Sequence, residues 1–303
     1  MEQTFAPVKP SLCWFCAYTP EEIIVAAGFR SRRILGRPGS AAKAEAYLHP
    51  NLCSYVRACF NSVLEGEYKD LSGIIAVDSC DAMRSLFDAL CCFTSAGFSH
   101  ILSLPHRRDL SAVNFFANEL RRLIDCLNNY FALRISEEDL RNAIRTVNSA
   151  RILLIRLAKQ RAASPSFSGQ RYYELLREAM TGEIEDFQSR AQRELETAKQ
   201  AVNENENAVR IVLAGGILDD PWVVGAIEEA GGRVVADDMC CGSRYFEGLV
   251  SEEEEPIPAI ARRYILRPQC ARMADTEERI RRLMATIDDS GARGLIYYGV
   301  KFC

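Results

Sequence analysis

Apolar residues recur along this chain either in short unbroken runs or at i, i+3, i+4, i+7 spacing, and the two patterns alternate. In the first third, Gly73 to Val77 reads as a buried strand that delivers Ser79-Cys80-Asp81 into a turn. Met83, Leu86, Phe87 and Leu90 follow at helical spacing, an amphipathic helix packed on a sheet. A short strand from His100 to Leu104 ends at Pro105-His106, and a long helix then carries Leu110, Val113, Ala117, Leu120, Ile124 and Leu127 on one face. Upstream, Thr19 is expected to cap a helix, with Pro20 at its first position, Glu22 closing a capping box and Gly28 ending it. The next helix starts near Cys53.

Ser136 caps a further helix with Leu140, Ile144, Val147 and Leu154 facing inward. Gln170 to Asn203 reads as helical and highly charged, and the polar run from Asn203 to Asn207 as a solvated boundary. The last third alternates cleanly. Val209 to Ala214 is a strand, a helix starts at Asp220-Pro221 and stops at Gly231-Gly232, and Arg233 to Ala236 is a second strand. Asp275 to Asp288 is a helix and Leu295 to Val300 a third strand. Strand–helix–strand alternation implies an α/β protein with parallel sheets. The expected division is a first α/β domain over 1–135, a helical section over 136–207 and a second α/β domain over 208–303.

With 303 residues and 48% hydrophobic content, the chain can bury a core large enough for two domains. A net charge of −4 offers no electrostatic reason to bind nucleic acid. The amino terminus has neither a basic n-region nor an apolar h-region, and no apolar run approaches the ~20 residues that span a bilayer. A soluble, cytoplasmic protein is expected.

Twelve cysteines change this picture. They are not spaced as a small disulfide scaffold. Cys59, Cys91, Cys92 and Cys126 sit in apolar helical patterns and read as small buried hydrophobes. Cys13-Trp14-Phe15-Cys16 is a lone CxxC with no strand expected before it and no second pair after it, too little for a zinc knuckle or a thioredoxin-like site. Cys53, Cys80 and Cys303 are different. Each falls where a predicted strand ends or a helix begins, and in an open α/β sheet ligands gather at the carboxyl ends of strands. Cys53 and Cys80 stand at helix amino termini, which favour a thiolate, the form that binds iron. Three such thiolates in one cleft suggest an iron–sulfur cluster.

The remaining polar candidates are weaker. Asp237 and Asp238 either pair with Arg244 to shape their loop or offer a carboxylate to substrate. His106 is the one histidine in a post-strand loop and a candidate acid/base; Glu21, beside a Glu22 assigned to capping, is another. Gly215-Gly216 follows a strand, but there is no GxGxxG and no Walker lysine, so no nucleotide loop is expected.

The segments WFCAYTPEEIIVAAGF, LCSYVRACF, SCDAMRSLFD, LPHRRD, AGGILDDPWVVGAIEEAGGRVVADDMCCGSRYF and LIYYGVKFC, in order from about Ser11 to Cys303, resemble the 2-hydroxyacyl-CoA dehydratase D-component family. That family includes subunits of 2-hydroxyglutaryl-CoA-type dehydratases, of benzoyl-CoA reductase, and double-cubane cluster proteins. The resemblance implies two Rossmann-like domains with a [4Fe-4S] cluster between them, held by Cys53, Cys80 and Cys303 with one iron left open. It also implies a second subunit, in a homo- or heterodimer, an ATP-dependent iron–sulfur activator that injects a low-potential electron, and a CoA-thioester substrate. The alternative within the same chemistry is a double-cubane reductase of small molecules acting without CoA, whose [8Fe-9S] cluster needs more thiolates, for which Cys16, Cys240 and Cys270 are the candidates. The doubled cysteines at 91–92 and 240–241 depart from the pattern. Family members usually continue past the KFC motif, so the second sheet is expected to lack at least one strand–helix unit. A truncated, non-catalytic member is therefore the alternative of a different class.

Overall fold

The computed structural model describes residues 9–37, 39, 41–68, 71–95, 97–198, 207–218, 220–268 and 270–303. The first part of the chain holds β1 (Ser11–Trp14), α1 (Glu21–Ala26), β2 (Arg30–Arg33), α2 (Ser54–Leu64), β3 (Leu71–Val77), α3 (Asp81–Phe93), β4 (Phe98–Leu102) and α4 (Leu110–Phe131). Three helices follow: α5 (Glu137–Ala163), α6 (Gly169–Thr181) and α7 (Ile184–Ala198). The last part holds β5 (Val209–Gly215), α8 (Trp222–Glu229), β6 (Gly232–Asp238), α9 (Ser243–Phe246), α10 (Pro256–Leu266), α11 (Thr276–Ser290) and β7 (Gly294–Tyr298). Among the described residues no helix is long and apolar enough to cross a membrane.

Two sheets form, as the alternation predicts, with strand orders β2-β1-β3-β4 and β6-β5-β7. Every pairing in both is parallel. A parallel sheet covered on both faces needs strands that are apolar throughout, and β1 and the Gly73–Val77 stretch of β3 are buried at every position. Gly215, the last residue of β5, lies so close to β7 that a Cβ there would collide with the Tyr298 carbonyl oxygen. Close packing of the strands therefore explains the first glycine of Gly215-Gly216 without any phosphate.

Several boundaries differ from expectation for local reasons. The strand placed at His100–Leu104 lies at Phe98–Leu102, because the Ser103 N–H leaves the ladder and donates to Glu119 at 3.1 Å. The last strand ends at Tyr298, where its partner β5 also ends. Strands β1 and β2 and helices α9 and α10 are additions to the expected pattern, so the Cys13-x-x-Cys16 motif does have a strand: Cys13 lies inside β1. The Ser136 capping box forms as expected, with Asp139 as its other half. Leu110, by contrast, is 71% exposed at the first turn of α4, while the rest of its stripe is buried. Cys59 is buried, but Cys91, Cys92 and Cys126 are exposed, off the buried stripes of α3 and α4. Asn203 to Glu206 lie outside the described residues.

The largest correction concerns Glu22. The residue preceding α1 is Pro20, no side chain caps the helix, and Glu22 is fully buried. Its carboxylate meets Arg151 of α5 at 2.6 Å and accepts from the Tyr264 hydroxyl of α10 at 3.0 Å. Arg151 also donates to that hydroxyl at 3.1 Å, so one buried cluster ties together helices from all three parts of the chain. Burial pushes the Glu22 carboxyl up, but the Arg151 and Arg263 guanidinium groups outweigh it and hold the group below its ordinary value. Neighbouring Glu21 accepts from Ser31 at 3.0 Å, and burial leaves its carboxyl above the ordinary value despite Arg151.

The two carboxyls are therefore expected to act oppositely. The stability that Glu22 contributes is present above its unfolded pKa and lost as pH falls through its folded one; that of Glu21 is present below its unfolded pKa and lost as pH rises through its folded one. Glu22→Gln strands a buried Arg151 and should cost about 3–5 kcal/mol in urea denaturation at neutral pH. Glu21→Gln should leave stability unchanged or higher. Equal losses in the two variants would contradict this arrangement. Native iodoacetamide labelling read by peptide mass spectrometry should modify Cys91, Cys92 and Cys126, and spare Cys13 and Cys59 until the protein unfolds. Labelling of Cys59 in the native protein would contradict its burial.

Candidate functional site

The carboxyl ends of β1, β3, β5, β6 and β7 all open onto one cavity of about 440 Å³. Cys16, Cys53, Cys80, Cys240, Cys270 and Cys303 all line it. Cys16 follows β1, and Cys53 and Cys80 immediately precede the first residues of α2 and α3. Cys240 follows β6, Cys270 lies in the loop before α11, and Cys303 follows β7. Among the described residues no three His, Cys, Asp or Glu side chains are grouped to hold a single metal ion.

Backbone contacts bring the distant thiols together. The Ser54 N–H donates to the Lys301 carbonyl at 3.4 Å, pinning the segment after β7 to the start of α2. The Cys303 N–H then turns back to Val300 at 3.0 Å, with Phe302 at a left-handed φ of 64°. A hydrogen bond from the Cys303 thiol lowers Cys53 to about 7, helped by the Val56 and Tyr55 N–H groups at the start of α2, while the Cys303 thiol is raised. The Cys270 N–H donates to the Tyr18 hydroxyl at 3.3 Å, which fixes the loop before α11.

Cys240 sits in a loop built around Asp237. That carboxylate is buried, pairs with Arg161 at 3.0 Å and accepts from the Ser243 N–H at 2.7 Å. Arg161 lies over the Tyr172 ring at 4.0 Å from its centroid. Asp237 thus shapes its loop, but with Arg161 as its partner in place of the expected Arg244. Asp238 pairs with Arg244 at 3.2 Å and faces the cavity, and burial raises its carboxyl. The doubled cysteines have separate surroundings: Cys240 lines the cavity, whereas the buried Cys241 accepts from the Leu218 N–H at 3.0 Å and donates to its carbonyl at 3.1 Å. Burial favours the neutral Cys240 thiol, but Arg33, Arg244 and Arg267 together outweigh it and lower its pKa. Burial, reinforced by the charge of Cys240, pushes Cys16 up to about 12.

Neither acid/base candidate lines this cavity. His106 is exposed, its carbonyl accepting from Ala274 at 3.0 Å. Glu21 is buried in the Ser31–Trp14 network instead. Sequence reasoning also missed the guanidinium groups of Arg33, Arg272 and Arg279, which line the cavity alongside Arg244. Arg30-Ser31-Arg32-Arg33 reads as a solvated basic run, and only the alternating burial of β2 shows that Arg33 points inward.

The cavity is framed by both ends of the chain, and the comparisons with known proteins span the same length. The model of the 2-hydroxyglutaryl-CoA dehydratase D-component family matches residues 16–303. The chain is 23% identical over 291 residues to the (R)-phenyllactyl-CoA dehydratase beta subunit of Clostridium sporogenes, covering 94% of this chain and 77% of that one. It is 24% identical over 300 residues to the lactoyl-CoA dehydratase subunit beta of Anaerotignum propionicum, with 94% and 77% covered. With a benzoyl-CoA reductase subunit from Thauera aromatica it shares 22% identity over 306 residues, with 98% and 79% covered. With a match that takes in all six cavity cysteines, this chain belongs to the 2-hydroxyglutaryl-CoA dehydratase D-component family.

Proposed function

We propose that this chain is the iron–sulfur component of a 2-hydroxyacyl-CoA dehydratase or of a related ATP-dependent low-potential reductase, with the cluster in the six-thiol cavity. One observation carries the reading: thiols from six separate places in the chain line a single cavity at the strand ends of both sheets. The donor set fits. Thiolate sulfur is the usual ligand of iron–sulfur clusters. Sulfurs bound to different irons of one cubane stand roughly 6–7 Å apart, so a cubane site need not gather three side chains around one point. That is consistent with the absence of a single-ion site among the described residues. The Cys53 and Cys303 thiols, hydrogen-bonded to each other here, would move apart to hold a cubane.

Cys53, Cys80 and Cys303 would hold one cubane, and Cys16, Cys240 and Cys270 supply the thiols for a second. Six thiols in one cavity favour the double-cubane [8Fe-9S] form over a single [4Fe-4S] cluster. Such a group, when bound, supplies single electrons at low potential next to a substrate. The protein's own part is positional. The start of α2 favours a thiolate at Cys53, while at Cys80 the α3 backbone N–H groups pull the same way but burial outweighs them and raises the thiol. Arg272 and Arg279 present positive charge to an anionic substrate, and the apolar wall of Phe15, Val56 and Met83 limits water. The relatives named beta subunits support a second dehydratase or reductase subunit as partner. A CoA-thioester substrate and an ATP-dependent activator belong to the same proposal.

Anaerobic reconstitution with iron and sulfide, followed by elemental analysis and EPR, tests it. About eight irons per chain are expected, against about four for a single cubane. Cys80→Ser and Cys240→Ser should each lower the iron content, whereas only Cys80→Ser should do so for a cluster confined to Cys53, Cys80 and Cys303. A folded wild-type chain that retains no iron would overturn the function.

A further inference from the structure

Arg33 is wholly buried, yet its guanidinium faces the cavity. Its Nε donates to the Phe15 carbonyl at 3.0 Å, and its Nη1 reaches the Met180 Sδ at 3.2 Å and the Cys240 carbonyl at 3.5 Å. Its Nη2 reaches the Cys240 Sγ at 3.8 Å, and the group lies 5.1 Å from the centroid of the Trp14 ring. Three other buried arginines meet carboxylates, Arg151 with Glu22, Arg161 with Asp237 and Arg244 with Asp238, whereas Arg263 and Arg267 donate to backbone carbonyls and do not line the cavity. Among the described residues Arg33 forms no such pair, and the ionisable groups acting most strongly on it are Tyr55, Cys240, Cys241 and Cys16.

A guanidinium does not lose its proton in a protein, so this charge is permanent. A buried, permanent cation without a counter-ion is costly, and among the described residues Arg33 is the buried arginine without a carboxylate that lines the cavity and touches a thiol there. Arg267 adds its charge around the same thiol, as does Arg244, though Arg244 is paired with Asp238. The opposite end of the cavity is different. Arg272 acts on Cys80 and Cys303 from an exposed position where water screens it, and Arg244 is already paired with Asp238.

We infer that Arg33 is a positioning residue: its fixed charge seats the anionic, thiolate-bound group at Cys240 and raises the reduction potential of that end of the cavity above that of the Cys53–Cys80–Cys303 end. The inference rests on the cluster reading of the preceding section. Reduction adds negative charge, and a buried positive charge in contact with the thiolate stabilises the reduced form. If a cluster occupied the cavity, an electron shared between its two ends would rest preferentially near Cys240.

The test compares the anaerobically reconstituted full-length chain with Arg33→Met, which keeps the long stem and loses the charge, and Arg33→Lys, which keeps the charge. Iron content is read first, then midpoint potential by EPR-monitored titration, then the rate of visible-absorbance loss to a chelator. Arg33→Met should show a lower midpoint and cluster loss about tenfold faster, as for other groups that support a metal's ligands. Arg33→Lys should keep a midpoint near the wild type. In iron-free protein, Arg33→Met should melt at or above the wild-type temperature, because an unpaired buried cation has been removed. Should Arg33→Met not fold, Arg33→Gln, neutral but still able to donate to Phe15, carries the same comparison. A folded neutral variant with wild-type midpoint and retention overturns the inference and leaves the cluster reading standing, as does an equal shift in the Met and Lys variants. Iron-free wild type after reconstitution overturns both.

Discussion

Parallel pairing forces every strand of a sheet to end at the same edge, and each loop that follows a strand must start there. This protein applies that constraint twice, and the ends of the two sheets face a common cavity. Residues as far apart in the chain as Cys16 and Cys303 come to line the same cavity because strand direction leaves them no other place to go. The pinning of Ser54 to Lys301 adds little energy, but it decides where the last cysteine sits.

Keeping two sheets in register with each other is the work of buried charge. Glu22, Arg151 and Tyr264 join α1, α5 and α10, while Arg161 and Asp237 join α5 to the end of β6. Such pairs are poor sources of net stability, since desolvation consumes most of their attraction. Their value lies in geometry, because no other partner satisfies the charges once they are buried. The Asp237 side chain also accepts from the backbone of Met239 and Ser243 on either side of Cys240, so the contact that braces the fold also fixes the loop that shapes the cavity.

Much of this is legible in the sequence. The alternation from Val209 onward is clear because turns marked by glycine and proline separate its apolar runs, and Cys53 and Cys80 stand at helix starts that the pattern of the first third already marks. Strand β1 is hidden because four residues give periodicity nothing to work on, and β2 because its arginines resemble a solvated face. Glu22 follows the capping rule in sequence and then loses to a tertiary partner 129 residues away. The stripe through Leu110 runs one turn too far, since periodicity cannot show where the covering sheet stops. Arg33 carries no local signal at all: a buried cation is recognised only from what surrounds it.

The cavity has a cationic end at Cys240 and a more exposed end at Cys303. The central claim is that the six thiols share one iron-containing site. Anomalous diffraction at the iron edge, from crystals of anaerobically purified protein, tests this most directly. Iron peaks within the cavity, in contact with sulfurs from both the Cys53–Cys80–Cys303 and the Cys16–Cys240–Cys270 sets, are the expected result. Iron bound elsewhere on the molecule, or a cavity without iron, would contradict the claim.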